Sequence, residues 1–411
     1  MKYRVVIRAF TSRRDIASSI ILARILKEEN CSVIVASSRN FGRVVRYWKP
    51  DAIIINTVSQ INYCSRVSKD SKLILWPGEG GQGIESSDPM ALSEMEGAYE
   101  KLSLVLLWGS ITESFFYKLF PNHNHSKLVV CGNPRLDMIK FNEIIPFAKK
   151  SKSIGFIGRF HSLNRYNAIP AIYSMQIPEK RDGVIWQVEN YISMIAIIRK
   201  VIEETDFQIS IRPHPLEAPE GYSFMKTMKP FAGRVSIDDS FDLAYWTANQ
   251  KVIVTPSSTS FFESYLLKIP VINIDKISNS VNVIQNLTPL AALSQKCSYM
   301  PDNLDTAIDL IKSKNLVAKL NSEVDTHLDE YHSWNFTKSA TLSAKDEVLK
   351  ILNNNAVFKF HIPKFFLDIL DYIVFKKISL RDNLHQNFSY SKHYHKIPKY
   401  YDSIVKNISN K

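Results

Sequence analysis

At 411 residues, with 45% hydrophobic and 22% charged side chains, the chain has the composition of a packed globular protein and exceeds what one hydrophobic core usually organises. Two domains are expected, and a disordered or fibrous chain is excluded. The net charge of +12 leaves nucleic acid, an anionic membrane or anionic substrates as partners. Cys31, Cys64, Cys131 and Cys297 are scattered without a C-x-x-C pair, so neither a zinc site nor a disulfide framework is indicated.

The opening "MKYRVVIRAF" has a short apolar run that stops at Arg8, and no uninterrupted run reaches the ~18–20 residues of a membrane span. A cytoplasmic, non-spanning protein with reduced thiols is expected. Short β-branched runs then alternate with helical patterns: "YRVVIRAF", "IASSIILARILKEE", "SVIVASS", "AIIINTV", "KLILWPG", "LVLLWGS" and "KLVVCGN". Such alternation predicts a parallel sheet covered on both faces. After the basic stretch "FAKKSKS" the pattern restarts with "SIGFIGRF", a long helix around Val188 to Glu204, "FQISIRP", "RVSID", "KVIVTPSS" and "VINID". The expected domains are residues 1–150, residues 151–315, bracing helices over 316–355 and a tail over 356–411.

That tail carries nine Lys and one Arg against four Asp, half of the net excess. Within it, "IPKFFLDILDYIVFKK" repeats Phe366, Leu370, Ile373 and Val374 at helical spacing between lysines, the pattern of an interfacial helix. A helix closing the core with a solvated basic end fits the same residues. A nucleic-acid footprint would need a recognised basic and aromatic module, and none appears.

In open parallel sheets, ligands sit beyond the carboxyl ends of the strands. Four loops stand at predicted strand ends: "WPGEGGQG", "CGNPRLD", "RPHPLE" and "TPSSTSFFE". In the last, Ser257, Ser258, Thr259 and Ser260 offer hydroxyls and N–H groups at a helix start, a ready anion site. "RPHP" adds the fixed cation Arg212 and His214, held between Pro213 and Pro215. Together these would hold a phosphate. Gly78, Gly80 and Gly83 formally match G-x-G-x-x-G, but the run follows a later strand, opens no helix and sets Glu79 where a pyrophosphate would pass. A carboxylate on a glycine bed reads better as a general base or acceptor-binding group. Asp238, Asp239 and Asp242 in "SIDDSFD" read as helix caps, not metal ligands.

Glu79-Gly80, His214-Pro215 and Ser257-Ser258, in that order, resemble the three signatures of bacterial GT-B-fold transferases that use CMP-activated acidic sugars, the sialyl-, polysialyl- and Kdo transferases. "CGNPRLD" resembles a segment of bacterial surface-carbohydrate biosynthesis proteins. The resemblance covers roughly residues 1–315 and departs from the commoner paired-acid form, since Gly78 precedes Glu79. It implies two Rossmann-like domains facing a central cleft, an acceptor-side first half and a nucleotide-sugar-binding second half. It further implies that His214 donates to the departing phosphate of CMP while Ser257, Ser258 or Thr259 hold its other oxygens. Arg159 and Arg212 would bind the phosphate or the sugar carboxylate, with Pro215 shaping the loop. Glu263 would reach the ribose, and Glu79 would deprotonate the acceptor, near Gly80, Asn133 and Arg135. No metal or cofactor is implied. The expected partners are a CMP-sugar, a glycan or lipid-linked glycan acceptor and the anionic inner-membrane surface, with the protein peripheral on the cytoplasmic side and no nucleic acid bound. A CDP-polyol phosphotransferase of the teichoic-acid type, or a non-catalytic nucleotide- or carbohydrate-binding scaffold, is the alternative. Sugar-nucleotide 2-epimerases would show a Gly-Gly pair where Ser257 to Ser260 stand.

Overall fold

A computed structural model describes residues 3–9, 12–78, 97–141, 152–165, 171–278, 289–353 and 400–409. The chain divides into two compact units, one formed by Met1–Asn142 with Asp325–Lys411, the other by Glu143–Val324.

In the first unit all six expected runs are strands: β1 (Arg4–Ala9), β2 (Ser32–Ser37), β3 (Ala52–Ile55), β4 (Lys72–Leu75), β5 (Leu104–Leu107) and β6 (Leu128–Val130). They form one parallel sheet in the order β2-β1-β3-β4-β5-β6. Strands such as "AIII" are buried along their whole length, as a parallel sheet covered on both faces requires. On one face lie Phe41, Trp48, Tyr99 and Phe116, packed with Ile53, Leu75 and Val105. The helix Ser12–Glu28 packs on β1 and β2 and also meets the helices Ala340–Asn353 and Tyr400–Ser409. Part of the stretch read as bracing helices therefore completes the first unit.

The second unit contains β7 (Ser153–Ile157), β8 (Gln208–Arg212), β9 (Val235–Ile237), β10 (Val252–Thr255) and β11 (Val271–Asn273), all parallel in the order β11-β10-β7-β8-β9. Its long helix runs Pro178–Glu204, ten residues earlier than the apolar periodicity suggests. Proline sits at the first helical position, where its missing N–H costs nothing, and the polar first turns carry no apolar stripe to betray them. Val184, Met194, Ile197, Ile198 and Val201 bury one face of this helix.

Strand order changes direction once in each sheet. In the first, the chain moves from β1 out to β2, then returns past β1 to β3. In the second it runs β7, β8, β9, then returns past β7 to β10. In open α/β sheets such switch points, where the connections diverge beyond the strand ends, are the general location of ligands. Four cysteines are free and buried. Among the described residues no helix is long and apolar enough to cross a membrane.

Candidate functional site

At the β7/β10 switch point the strand-end loops of β7, β8 and β10 stand side by side, because β7 separates β8 from β10. A buried carboxylate ties two of them together. Glu217, 0% exposed, accepts the Phe160 N–H at 2.5 Å and the Tyr222 hydroxyl at 2.6 Å. Gly158 makes room for it, since a Cβ there would stand 2.8 Å from Glu217 Oε2 and 2.9 Å from the Tyr222 oxygen. The third loop is joined through Arg159, whose guanidinium donates to the Ser257 carbonyl and lies 5.2 Å from the centre of the Trp186 ring. Burial lowers the Arg159 pKa and nearby Asp275 opposes that shift.

Within this frame the Leu216 N–H donates to His214 Nδ1 at 3.2 Å. The neutral ring therefore carries its proton on Nε2, which makes that edge a donor, as stabilising a departing phosphate requires. Beside it lies a residue that the motif search passed over. The His161 ring is 5.2 Å from that of His214 at an interplanar angle of 35°. Burial, followed by the charges of Arg159 and Arg165, drives the His161 pKa down to about 4, so His161 stays neutral near pH 7. His161 Nδ1 is buried and has no hydrogen-bond partner among the described residues. Its signal in the sequence was position, two residues past Arg159 on the loop after a strand.

Other expected residues have different surroundings. Arg212 is 4% exposed, paired with Asp238 and donating to Ser240 Oγ at 3.0 Å and to the Ser240 carbonyl at 2.9 Å. It fastens the end of β8 to the segment after β9, so its guanidinium is occupied within the protein. Ser257 is likewise engaged: its hydroxyl donates to Asp275 and accepts from Asn273 Nδ2 at 2.9 Å. Ser258 is half-buried, with its hydroxyl 2.9 Å from that of Ser260, and Thr259 is exposed. These two hydroxyls are the ones left at the surface of the loop. The helix after them, Phe261–Leu266, has six residues, too short to add much dipole, and Glu263 is buried in its first turn. Asp242 caps the next helix upstream by accepting the Tyr245 N–H at 3.0 Å.

In the first unit, "CGNPRLD" holds the C-terminal helices. Gly132 has φ +100°, a backbone that excludes most side chains. Asn133 Nδ2 lies 2.9 Å from His332 Nδ1, and Asn133 Oδ1 accepts the Arg135 N–H at 3.0 Å. Asp137, deeply buried, accepts from Ser339 Oγ (2.8 Å), Ala340 N (3.1 Å), Thr341 N (2.8 Å) and Thr341 Oγ1 (2.7 Å), capping the helix Ala340–Asn353 from across the unit. Burial nonetheless raises the Asp137 pKa, with these donors opposing it. Asn133 thus serves this docking. Arg135 instead lines, with Arg8, Arg14, Asp15 and Gly78, a small concavity at the β1/β3 switch point. Glu79 and Gly80 lie outside the described residues, directly after Gly78.

No protein-family model matches the chain, and no curated protein sequence matches it. Among solved structures it is similar to the wall teichoic acid polymerase TagF, with TM-score 0.53 and 11% identity over 86% of this chain and 90% of that one. It is also similar to S. aureus MnaA solved with UDP (TM-score 0.49, 13% identity, 88% and 100% covered). A third similar structure is the Methanocaldococcus jannaschii UDP-GlcNAc 2-epimerase in complex with UDP-GlcNAc and UDP (0.46, 14%, 86% and 100%). The TagF likeness is one of fold: two Rossmann-like α/β units with parallel sheets in one chain, the GT-B class.

Proposed function

We propose that the protein is a glycosyltransferase that moves an acidic sugar, Kdo- or sialic-acid-like, from a CMP donor to a growing capsule- or lipopolysaccharide-type glycan. The observation that carries this reading is the meeting of three loops at the β7/β10 switch point, where Leu216 N–H holds His214 Nδ1 next to the His161 ring and Arg159 bonds the Ser257 carbonyl of the loop that bears Ser258 and Thr259. Donors fixed before reaction are what a leaving phosphate needs. Glu79 takes the proton of the acceptor hydroxyl, whose oxygen bonds to the anomeric carbon. The bond from that carbon to the phosphate oxygen breaks, and CMP leaves with its charge stabilised by His214 and Arg159. The basic stretch of the tail before Tyr400–Ser409, a helix that packs on the first unit, holds the enzyme at the cytoplasmic face of the inner membrane beside a lipid-linked acceptor.

A second reading, a CDP-polyol phosphotransferase, draws support from the likeness to TagF, described as a wall teichoic acid polymerase. There the phosphoanhydride bond breaks and the acceptor gains phosphate as well as polyol. Thermal-shift titration with CMP, CDP, UDP and GDP tests both: at ligand near 100 times Kd, stabilisation is about 2.7 kcal/mol. Preference for UDP or GDP overturns the cytidine assignment. Mass spectrometry of the product separates the two readings, since only the second adds phosphorus.

A further inference from the structure

We propose that the outer surface of the helices Ser38–Trp48 and Ile61–Val67 in the first unit docks on an anionic lipid bilayer, as a second contact beside the basic stretch of the tail. This extends the membrane part of the reading above and does not require the transferase chemistry. From Ser38 to Ser71 the chain carries six Lys and Arg against two Asp. The helix Ser38–Trp48 has no acidic residue, and it turns Phe41, Val44, Val45 and Trp48 into the core together with Ile61 and Cys64 of the next helix. Arg43, Arg46 and Tyr47 lie on its outer side, with Arg46 exposed and Tyr47 42% exposed. Arg66 and Lys69 are exposed at and just past the end of the second helix.

The fold itself does not neutralise this charge. Arg43, Arg46, Lys49, Arg66 and Lys69 form no ion pair among the described residues. Asp51, two residues past Lys49, is engaged by Arg4, whose Nε stands 3.7 Å away and whose backbone N–H donates to it at 2.8 Å. Nor does the helix end need these cations as caps, since the Trp48 carbonyl accepts from Arg4 Nη1 at 3.0 Å. The two helices are locked together: the Tyr63 hydroxyl donates to the Gly42 carbonyl at 3.0 Å, and a Cβ at Gly42 would stand 2.8 Å from the Tyr63 oxygen. Like charges on neighbouring helices repel one another, and an anionic surface turns that repulsion into attraction. An exposed tyrosine among cations suits the headgroup region of a bilayer, whereas nucleic acid would call for a recognised module. The exposed cations stand toward the last turns of helices that run back from the strand ends of a parallel sheet, so docking here leaves the strand-end side of the unit open.

The full-length protein is sedimented with sucrose-loaded phosphatidylcholine vesicles, with and without about one third phosphatidylglycerol. Binding is expected only where phosphatidylglycerol is present, and it should fall as salt is raised. One cation near an anionic surface is worth about fivefold in affinity, so Arg43→Gln, Arg46→Gln and Arg66→Gln together should weaken binding about 100-fold with melting unchanged. Unchanged affinity in that folded variant overturns the proposal. A local readout separates this surface from the tail. All four native cysteines are buried, so Tyr47→Cys offers an exposed thiol for an environment-sensitive dye. The dye should brighten and shift to the blue on phosphatidylglycerol vesicles, and should the triple variant fail to fold, the dye alone decides. Protein that sediments while the dye stays dim overturns the proposal and leaves the tail reading standing. A bright dye with sedimentation unchanged after charge reversal at Lys364, Lys376 and Lys377 leaves this surface standing and removes the tail as the contact. Binding to single-stranded RNA but not to vesicles, lost in the triple variant, overturns the bilayer in favour of nucleic acid.

Discussion

Replacing His161 by Phe tests the electrostatics of the second unit directly. His161 has its pKa driven from 6.5 to about 4, by burial first and then by Arg159 and Arg165. A folded-state value below the unfolded one means that, as pH falls, the unfolded chain binds the proton first. Stability contributed by the group is thus complete above about pH 6.5 and is lost as pH falls toward about 4. Across a window of roughly 2.5 units, at about 1.36 kcal/mol per unit, the loss is about 3 kcal/mol. Phenylalanine keeps a ring of similar size against His214 and does not titrate. Urea unfolding of both proteins at several pH values and constant ionic strength gives the comparison, in which the shared titrations cancel. The stability difference between parent and variant should shift by about 3 kcal/mol between pH 7 and pH 4, with the parent losing more. Parallel curves would refute the claim that His161 is held neutral by its surroundings.

Gly158→Ala sets a methyl against Glu217 and the Tyr222 hydroxyl, and should cost about 1–3 kcal/mol of stability and weaken cytidine nucleotide binding, measured by melting and titration. Asp137→Ala strips the acceptor from two helix N–H groups and two hydroxyls at a buried site, for a loss of about 2–4 kcal/mol by denaturant unfolding; a change under about 0.5 kcal/mol would contradict the capping role. His214→Ala should lower turnover by ~10²-fold or more with melting nearly intact, and Glu79→Gln should do the same if Glu79 is the base. Charge reversal at Lys364, Lys376 and Lys377 should abolish flotation with anionic liposomes, each lysine contributing about 1 kcal/mol, while transfer to a short soluble acceptor is kept. Truncation at residue 355 would be a poorer test. It also removes Tyr400–Ser409, whose Tyr401, Ile404, Val405 and Ile408 are buried on the first unit.

Most of the eleven strands were legible because parallel strands buried on both faces read as unbroken apolar runs, and those runs are local; the edge strand β9, with none of its residues buried, was read from "RVSID". Strand order was not legible: nothing in "SIGFIGRF" says that β7 will stand between β8 and β10, yet that placement brings Arg159 and His161 beside His214. Motif reading found residues that look chemical in isolation and could not see their partners. Asp137 looked like part of a ligand loop, but the donors that surround it lie some two hundred residues away, at Ser339 to Thr341. Its role as a cap depends on a contact that no window along the chain contains.

Arg159 and Arg212 show what decides the fate of a strand-end arginine. Each follows or ends a strand of the same sheet, on neighbouring strands, and from the sequence each is an equal candidate for phosphate or carboxylate. Arg212 meets a carboxylate, Asp238, supplied by the segment after β9 and reinforced by Ser240, so its charge is neutralised inside the protein. Arg159 bonds the neutral carbonyl of Ser257 and lies near the Trp186 ring, while the nearest carboxylate acting on it, Asp275, is itself bound by the N–H and hydroxyl of Ser257 and by Gln295. A guanidinium bonded to neutral groups keeps most of its field for whatever enters the crevice, whereas one paired at close range does not. Arg159 therefore keeps its positive charge available beside His161, whose neutral state follows from burial first and from the fields of Arg159 and Arg165 after it. An anion at this position would be met by the fixed charge of Arg159 and by the imidazole edge of His214, an arrangement matched to a phosphate that gains charge only as its bond to the sugar breaks.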